Sequence, residues 1–186
     1  MGKVISLINM TPDGFADAQF AIADAEFFEF THQLLADTQT VAFGRNTFEL
    51  FQNIWPARLE GEQTPSWQMK MARAMAEIPK VVYSSTLTTT TWSRSSILPK
   101  IDISEMNGYK ESGAKGLLTL GSLNLVERMT AMNLIDDYYF CMQPFIAGSG
   151  SVRLFDKLKL DKGLSLHYIE SVPLKSGVNI IHYQPK

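Results

Sequence analysis

Two stretches of this chain end an apolar run on glycine and pass at once into helical spacing: Gly44-Arg45-Asn46-Thr47 and Gly121-Ser122-Leu123. A helix that starts at such a break leaves backbone N–H groups unpaired. It also sets the positive end of its dipole beside a residue with no side chain, so an anion can approach the backbone closely. Arg45 adds a permanent charge at the first break. One such junction alone reads as an ordinary turn with an exposed arginine; two in one chain weigh against that reading. A run of hydroxyls at residues 84–96, opening with Ser84, Ser85 and Thr86 and containing Arg94, would also suit a phosphate, although a solvated connection explains its composition as simply.

Carboxylates are the second group able to do chemistry. Asp13 stands in Pro12-Asp13-Gly14, a turn directly after the first apolar strand, where a carboxylate either works near a substrate or turns onto its own backbone. Asp24 is placed to cap a helix or to line a cleft. Asp136-Asp137 invites a paired-acid reading, but neighbours on a strand point to opposite faces and cannot act as a dyad. Gly148-Ser149-Gly150 permits an anion-binding backbone concavity or a plain surface turn. His32, His167 and His182 have no metal-ligand spacing to one another or to Cys141, so no metal site is assigned. No nucleophile elbow, Walker loop or Gly-x-Gly-x-x-Gly fingerprint is present.

Strands and helices alternate around these groups. Residues 3–8 predict a strand, and a loop of functional length follows to about residue 22. Residues 24–36 predict a helix with Phe27, Phe30, Leu34 and Leu35 inward and Glu26, Glu29, Gln33 and Asp37 toward solvent. Strand 40–43 leads through Gly44 into a helix carrying Phe48, Leu50 and Phe51, and residues 53–64, with Trp55-Pro56, read as a loop. A helix over residues 66–77 takes Ser66 as its cap and Trp67, Met71, Ala74 and Met75 as its packed face. Beyond strand 79–84, Asp102 and Glu105 form a capping-box pattern for a short helix stopping near Gly108 or Gly113. Strand 116–120 precedes a helix capped by Ser122 with Leu125, Val126, Met129 and Met132 inward, and strand 135–142 comes next. Residues 164–172 and 178–183, joined by 173–177, predict a closing hairpin. The alternation implies a mostly parallel sheet with ligands outside the carboxyl ends of its strands, and the hairpin makes the sheet mixed.

Size and charge narrow the classes. A chain of 186 residues that is 45% hydrophobic can bury one core, and we read a single domain. A net charge of −2 with scattered basic residues gives no footprint for nucleic acid. A lone cysteine and the lack of a membrane-length or secretory apolar run make a soluble cytoplasmic protein the default, with no membrane partner.

With the junctions in place, the chain resembles the dihydrofolate reductase superfamily, most closely its branch containing the reductase domain of riboflavin biosynthesis. The carriers are Thr11-Pro12-Asp13-Gly14, Gly44-Arg45-Asn46-Thr47-Phe48-Glu49, Pro79 through Leu87, and Leu120-Gly121-Ser122-Leu123. Leu134-Ile135-Asp136-Asp137, Pro144 through Gly150 with Leu154-Phe155, and Ser176-Gly177-Val178 extend the match over nearly the whole chain. The resemblance implies a three-layer α/β fold with a mixed sheet, NADPH across its carboxyl edge, hydride transfer to a small heterocyclic or sugar-derived substrate, and a homodimer. By position it implies that Gly44, Arg45, Asn46 and Thr47 hold phosphates, that Ser84, Ser85 and Thr86 lie near the adenosine ribose, and that Gly121, Ser122 and Leu123 receive the pyrophosphate and nicotinamide side. Asp13 matches the family's loop carboxylate, and Asp24 falls roughly where dihydrofolate reductases keep a substrate-binding acid. Ser85 stands where the family often has arginine, and Gly121-Ser122 replaces a Gly-Gly pair. A non-catalytic dinucleotide- or ligand-binding homodimer of the same fold is the alternative, since no unambiguous proton donor is visible.

Overall fold

Alternation of apolar side chains along the strands fixes the layers of this protein, whose computed structural model describes residues 2–111 and 115–186. The strands are β1 (Val4–Met10), β2 (Thr38–Gly44), β3 (Lys80–Tyr83), β4 (Ser95–Leu98), β5 (Gly116–Leu120), β6 (Asp137–Met142), β7 (Leu166–Pro173) and β8 (Asn179–Pro185). The helices are α1 (Ala25–Ala36), α2 (Arg45–Glu60), α3 (Ser66–Glu77), α4 (Ile103–Glu111) and α5 (Leu123–Ala131). Ile5, Leu7, Val41, Phe43 and Leu118 pack on one sheet face against Phe27, Phe48, Trp55 and Met75 of α1–α3. Their sequence neighbours Val4, Ala42 and Leu117 pack on the other against Met106 of α4 and Leu125, Val126 and Met129 of α5. Period-two strands between period-3.6 helices therefore give three layers.

The sheet runs β4-β3-β2-β5-β1-β6-β8-β7. Every pairing from β4 to β6 is parallel, and β8 is antiparallel to both β6 and β7. This is the α/β fold expected, mostly parallel with an antiparallel closing hairpin. Among the described residues, no helix is long and apolar enough to cross a membrane.

Several local expectations fail for identifiable reasons. Residues 53–60 are not loop but the last turns of α2, which continues through Pro56. A mid-helix proline costs roughly 3 kcal/mol, and the burial of Trp55 against Phe28 and Phe51 opposes that cost. The hydroxyl-rich connection ends in a strand, β4, which the pattern did not reveal because its four residues lie on the sheet edge and are only partly buried. Pro65 holds the cap position of α3, so Ser66 is its first residue rather than its cap. Helix α4 runs past Gly108 to Glu111, and the alternative stop at Gly113 lies outside the described residues. Met132 is 37% exposed at the end of α5 instead of facing inward.

Asp136 and Asp137 do part company at the start of β6. Asp136 accepts the Val4 N–H at 2.8 Å and pairs with Lys110 at 2.7 Å. Asp137 is buried and meets His182 Nε2 at 2.6 Å, Gln184 Nε2 at 2.7 Å and Lys3 Nζ at 2.9 Å. Burial opposes its ionisation, but the bonds from Gln184, Lys3 and His182 outweigh that and hold the carboxyl below its ordinary value.

Candidate functional site

The parallel register brings the two glycine junctions together. Ala42 of β2 lies beside Thr119 of β5, so two residues later Gly44 and Gly121 leave the sheet side by side at its carboxyl edge. The Gly44 N–H donates to Ser122 Oγ at 3.0 Å. Ser122 had the pattern of a helix cap; its hydroxyl bridges the two junctions instead and makes no cap bond within α5. Ser122 reaches that position through a left-handed backbone (φ 58°), following Gly121 at φ 64°.

Both helices therefore open without a side-chain cap. Asp24, in contrast, caps α1 by accepting the Phe27 N–H at 2.9 Å, and Asp102 caps α4 by accepting the Ser104 N–H at 2.7 Å. The first residues of α2 and α5, where unpaired N–H groups and the positive dipole ends lie, border a cleft of about 680 Å³ together with Gly44, Gly121 and Ser122; Arg45, Asn46, Thr47 and Leu123 are those first residues. All seven expected phosphate-side residues are thus assembled on one wall. Arg45, Arg58 and Arg128 line the cleft with a single carboxylate, Asp17, among its described lining residues. The balance favours an anionic ligand.

The other expected residues are placed differently. Ser84, Ser85 and Thr86 are not among the described lining residues; Ser84 Oγ instead closes its own turn by accepting the Thr86 and Leu87 N–H groups at 3.2 and 3.0 Å. Arg45 links that turn to the cleft, donating to Thr86 Oγ1 at 3.1 Å and to Glu49 Oε1 at 2.8 Å. Asp13 does not line the cleft either: it accepts the Ala147 and Gly148 N–H groups at 3.2 and 2.7 Å. The Thr11 hydroxyl first, and these N–H groups with it, hold its carboxyl down to about 2. Asp24, engaged as a cap, sits between the cleft-lining Ala23 and Phe27 without lining the cleft itself.

Two parts of the site were not read from the sequence. Asp17 lines the cleft four residues after Asp13 in the same loop, and its carboxyl is held low by the Ser151 N–H and then by the Val152 N–H. The second part is an apolar wall of Phe27, Phe28, Leu50, Phe51, Ile54 and Trp55. Leu50, Ile54 and Arg58 recur at four-residue spacing along α2, a signal that a loop over residues 53–64 does not show. Leu50 and Ile54 are 44% and 36% exposed, apolar surface that a ligand would cover. Among the described residues no cluster of three or more His, Cys, Asp or Glu could hold a metal. Cys141 is buried, and desolvation pushes its thiol up, so it is inert.

The eight-stranded sheet, parallel from β4 to β6 and closed by an antiparallel hairpin, has a dihydrofolate-reductase-like fold. The family model described as the RibD C-terminal domain matches residues 3–180, and the chain belongs to that family. Solved structures with the same fold include a Shewanella sp. PV-4 protein described as belonging to riboflavin biosynthesis, with TM-score 0.69, 18% identity and 99% of each chain covered. A pyrimidine reductase-like protein of Corynebacterium diphtheriae follows, with TM-score 0.65, 10% identity, and 100% of this chain and 92% of that one covered. Dihydrofolate reductase of Enterococcus faecalis, solved with NADP(H) and RAB-propyl, has TM-score 0.61, 11% identity, and coverage of 100% and 97%. No curated protein sequence matches this chain.

Proposed function

We propose that the chain is an NADPH-dependent reductase acting on a small heterocyclic or sugar-derived compound, of the 5-amino-6-(5-phosphoribosylamino)uracil or pterin type, and that it works as a homodimer. The observation that carries this reading is the pair of uncapped helix starts, tied through Ser122 and Gly44, opening on an arginine-lined cleft. The residues fit a dinucleotide: N–H groups at Arg45–Thr47 and Leu123–Asn124 suit its phosphates, and Arg45 suits a ribose phosphate. NADPH would supply the hydride. Family membership supports the assignment, as does the apolar wall beside the helix starts, which suits a planar acceptor.

One observation favours a non-catalytic dinucleotide- or ligand-binding homodimer instead. Asp13 and Asp24 are both engaged by backbone N–H groups, which leaves neither poised to move a proton. Thermal unfolding with NADPH, followed by NADPH oxidation with candidate acceptors, separates the readings. Ligand at about a hundred times its dissociation constant adds roughly 2.7 kcal/mol of stability. No shift with either NADPH or NADH rejects the reductase reading and dinucleotide binding with it, and a shift without oxidation of any acceptor favours the binding protein. Light scattering of the purified chain tests the dimer.

A further inference from the structure

The Gly148-Ser149-Gly150 turn is a motif that the dinucleotide site leaves unexplained. Its backbone concavity is filled from within the chain. Asp13 takes the N–H groups of Ala147 and Gly148, and Asp17 takes those of Ser151 and Val152 at 2.9 and 3.2 Å. The two loops also join through their backbones: the Ala16 N–H donates to the Val152 carbonyl at 2.9 Å and the Leu154 N–H to the Gly14 carbonyl at 3.3 Å. Phe15 and Arg153 form an antiparallel bridge. Of the two acids only Asp17 lines the cleft, and Val152, held by it and 41% exposed, lines the same cleft.

Gly150 shows that this approach is built into the choice of residues. A Cβ there would sit 2.6 Å from Asp17 Oδ2 and 2.6 Å from Phe15 Cδ1, inside van der Waals contact of both. We propose that Asp17 is a positioning residue: by accepting the N–H groups of Ser151 and Val152 it fixes Val152 as the part of the cleft wall that meets the hydride acceptor. The word acceptor rests on the reductase reading; the clamp itself does not. A carboxylate can accept both N–H groups at once, an asparagine carbonyl can take one, and alanine neither.

The test combines amide hydrogen exchange with kinetics on NADPH and two acceptor probes, 5-amino-6-(5-phosphoribosylamino)uracil and dihydrofolate. Asp17→Ala should lower protection of the Ser151 and Val152 amides by roughly tenfold or more, with β1 and β5 amides unchanged and Asp17→Asn intermediate. KM for the probe that is turned over should rise about tenfold, while kcat changes by less than about threefold and the NADPH dissociation constant by less than about twofold. Gly150→Ala should reproduce the Asp17→Ala pattern. Unchanged protection at both amides overturns the clamp, and lost protection with unchanged KM overturns its role in the cleft. If neither probe is turned over, the binding-protein reading is favoured, and the amide measurement alone decides the clamp.

Discussion

Ser122 Oγ accepts the Gly44 N–H at 3.0 Å and so ties the start of α5 to the start of α2 across the carboxyl edge of the sheet. The bond also sets the strained left-handed backbone of Ser122 to use, because that conformation carries the hydroxyl to the neighbouring junction rather than to its own helix.

Removing the hydroxyl separates these two effects. Ser122→Ala leaves the Gly44 N–H without its partner, which should cost about 1–3 kcal/mol. Ser122→Gly loses the same bond but relieves the left-handed strain, so it should be more stable than Ser122→Ala by about 1 kcal/mol. Denaturant midpoints at fixed slope check both; an Ala variant as stable as wild type shows that the tie contributes nothing.

Arg45 connects the first junction to the turn at Ser84–Thr86 through Thr86 Oγ1. If that turn lies beside the phosphate-bearing ribose, Arg45→Ala should weaken NADPH binding by roughly tenfold while changing NADH binding much less. Titration calorimetry with the two cofactors decides it, and equal losses for both would place Arg45 on the shared pyrophosphate instead.

Lys80 gives the fold an alkaline signature. Its Nζ is buried, donates to the Met75 and Ile78 carbonyls at the end of α3 at 2.8 Å each, and lies 4.7 Å from the centre of the Trp92 ring. Burial, with repulsion from Arg94, lowers its ammonium from 10.5 to about 8. The unfolded chain then holds the proton over a range where the folded chain has lost it, so stability should rise with pH from about 8 toward 10.5, by roughly 3 kcal/mol at most. Chemical denaturation between pH 7.5 and about 9.5, below the titration of unfolded tyrosines, measures the slope. Lys80→Met should flatten it; a slope that persists in that variant belongs to another group.

Asp13 should behave as a structural acid. Its carboxyl is lowered from 3.8 to about 2, so its contribution is complete above 3.8 and is lost as pH falls toward 2. Exchange protection of the Ala147 and Gly148 amides, corrected for intrinsic rates, should fall in that window. Asp13→Asn should lose protection at one of the two amides and reduce turnover by far less than the 10²-fold or so expected for a missing proton donor. A full loss of turnover with intact protection would return Asp13 to the chemistry.

How far the chain could be read follows from the range of the interactions involved. Phe27 and Leu35 on α1, the alternation of Val41, Ala42 and Phe43, and the glycine breaks at Gly44 and Gly121 are local signals, and they suffice for the layers and the two junctions. The opposite facing of Asp136 and Asp137 is also local, because strand geometry alone requires it. Trp55-Pro56 is not local. Proline's intrinsic preference ends a helix, and it is opposed here by burial of Trp55, which includes contact with Phe28 on α1, distant in sequence. The continued helix aligns Leu50, Ile54 and Arg58 along the cleft, an arrangement that a loop over residues 53–64 would not give.

Hydrogen-bond partners needed the tertiary structure for the same reason. Ser122 has the pattern of a cap, and Asp13 that of a self-turning loop acid; both patterns describe what the residue would do with only its neighbours for company. Sheet register brings Gly44 to Ser122 across 78 residues, and loop packing brings the Ala147, Gly148, Ser151 and Val152 N–H groups to Asp13 and Asp17 across 134 or 135. The sequence by itself determined strand and helix periodicity, the class of fold and the positions of the two glycine junctions. The tertiary structure decided which acid faces the cleft, because a side chain's partner is set by whichever unpaired donor the fold delivers within about 3 Å.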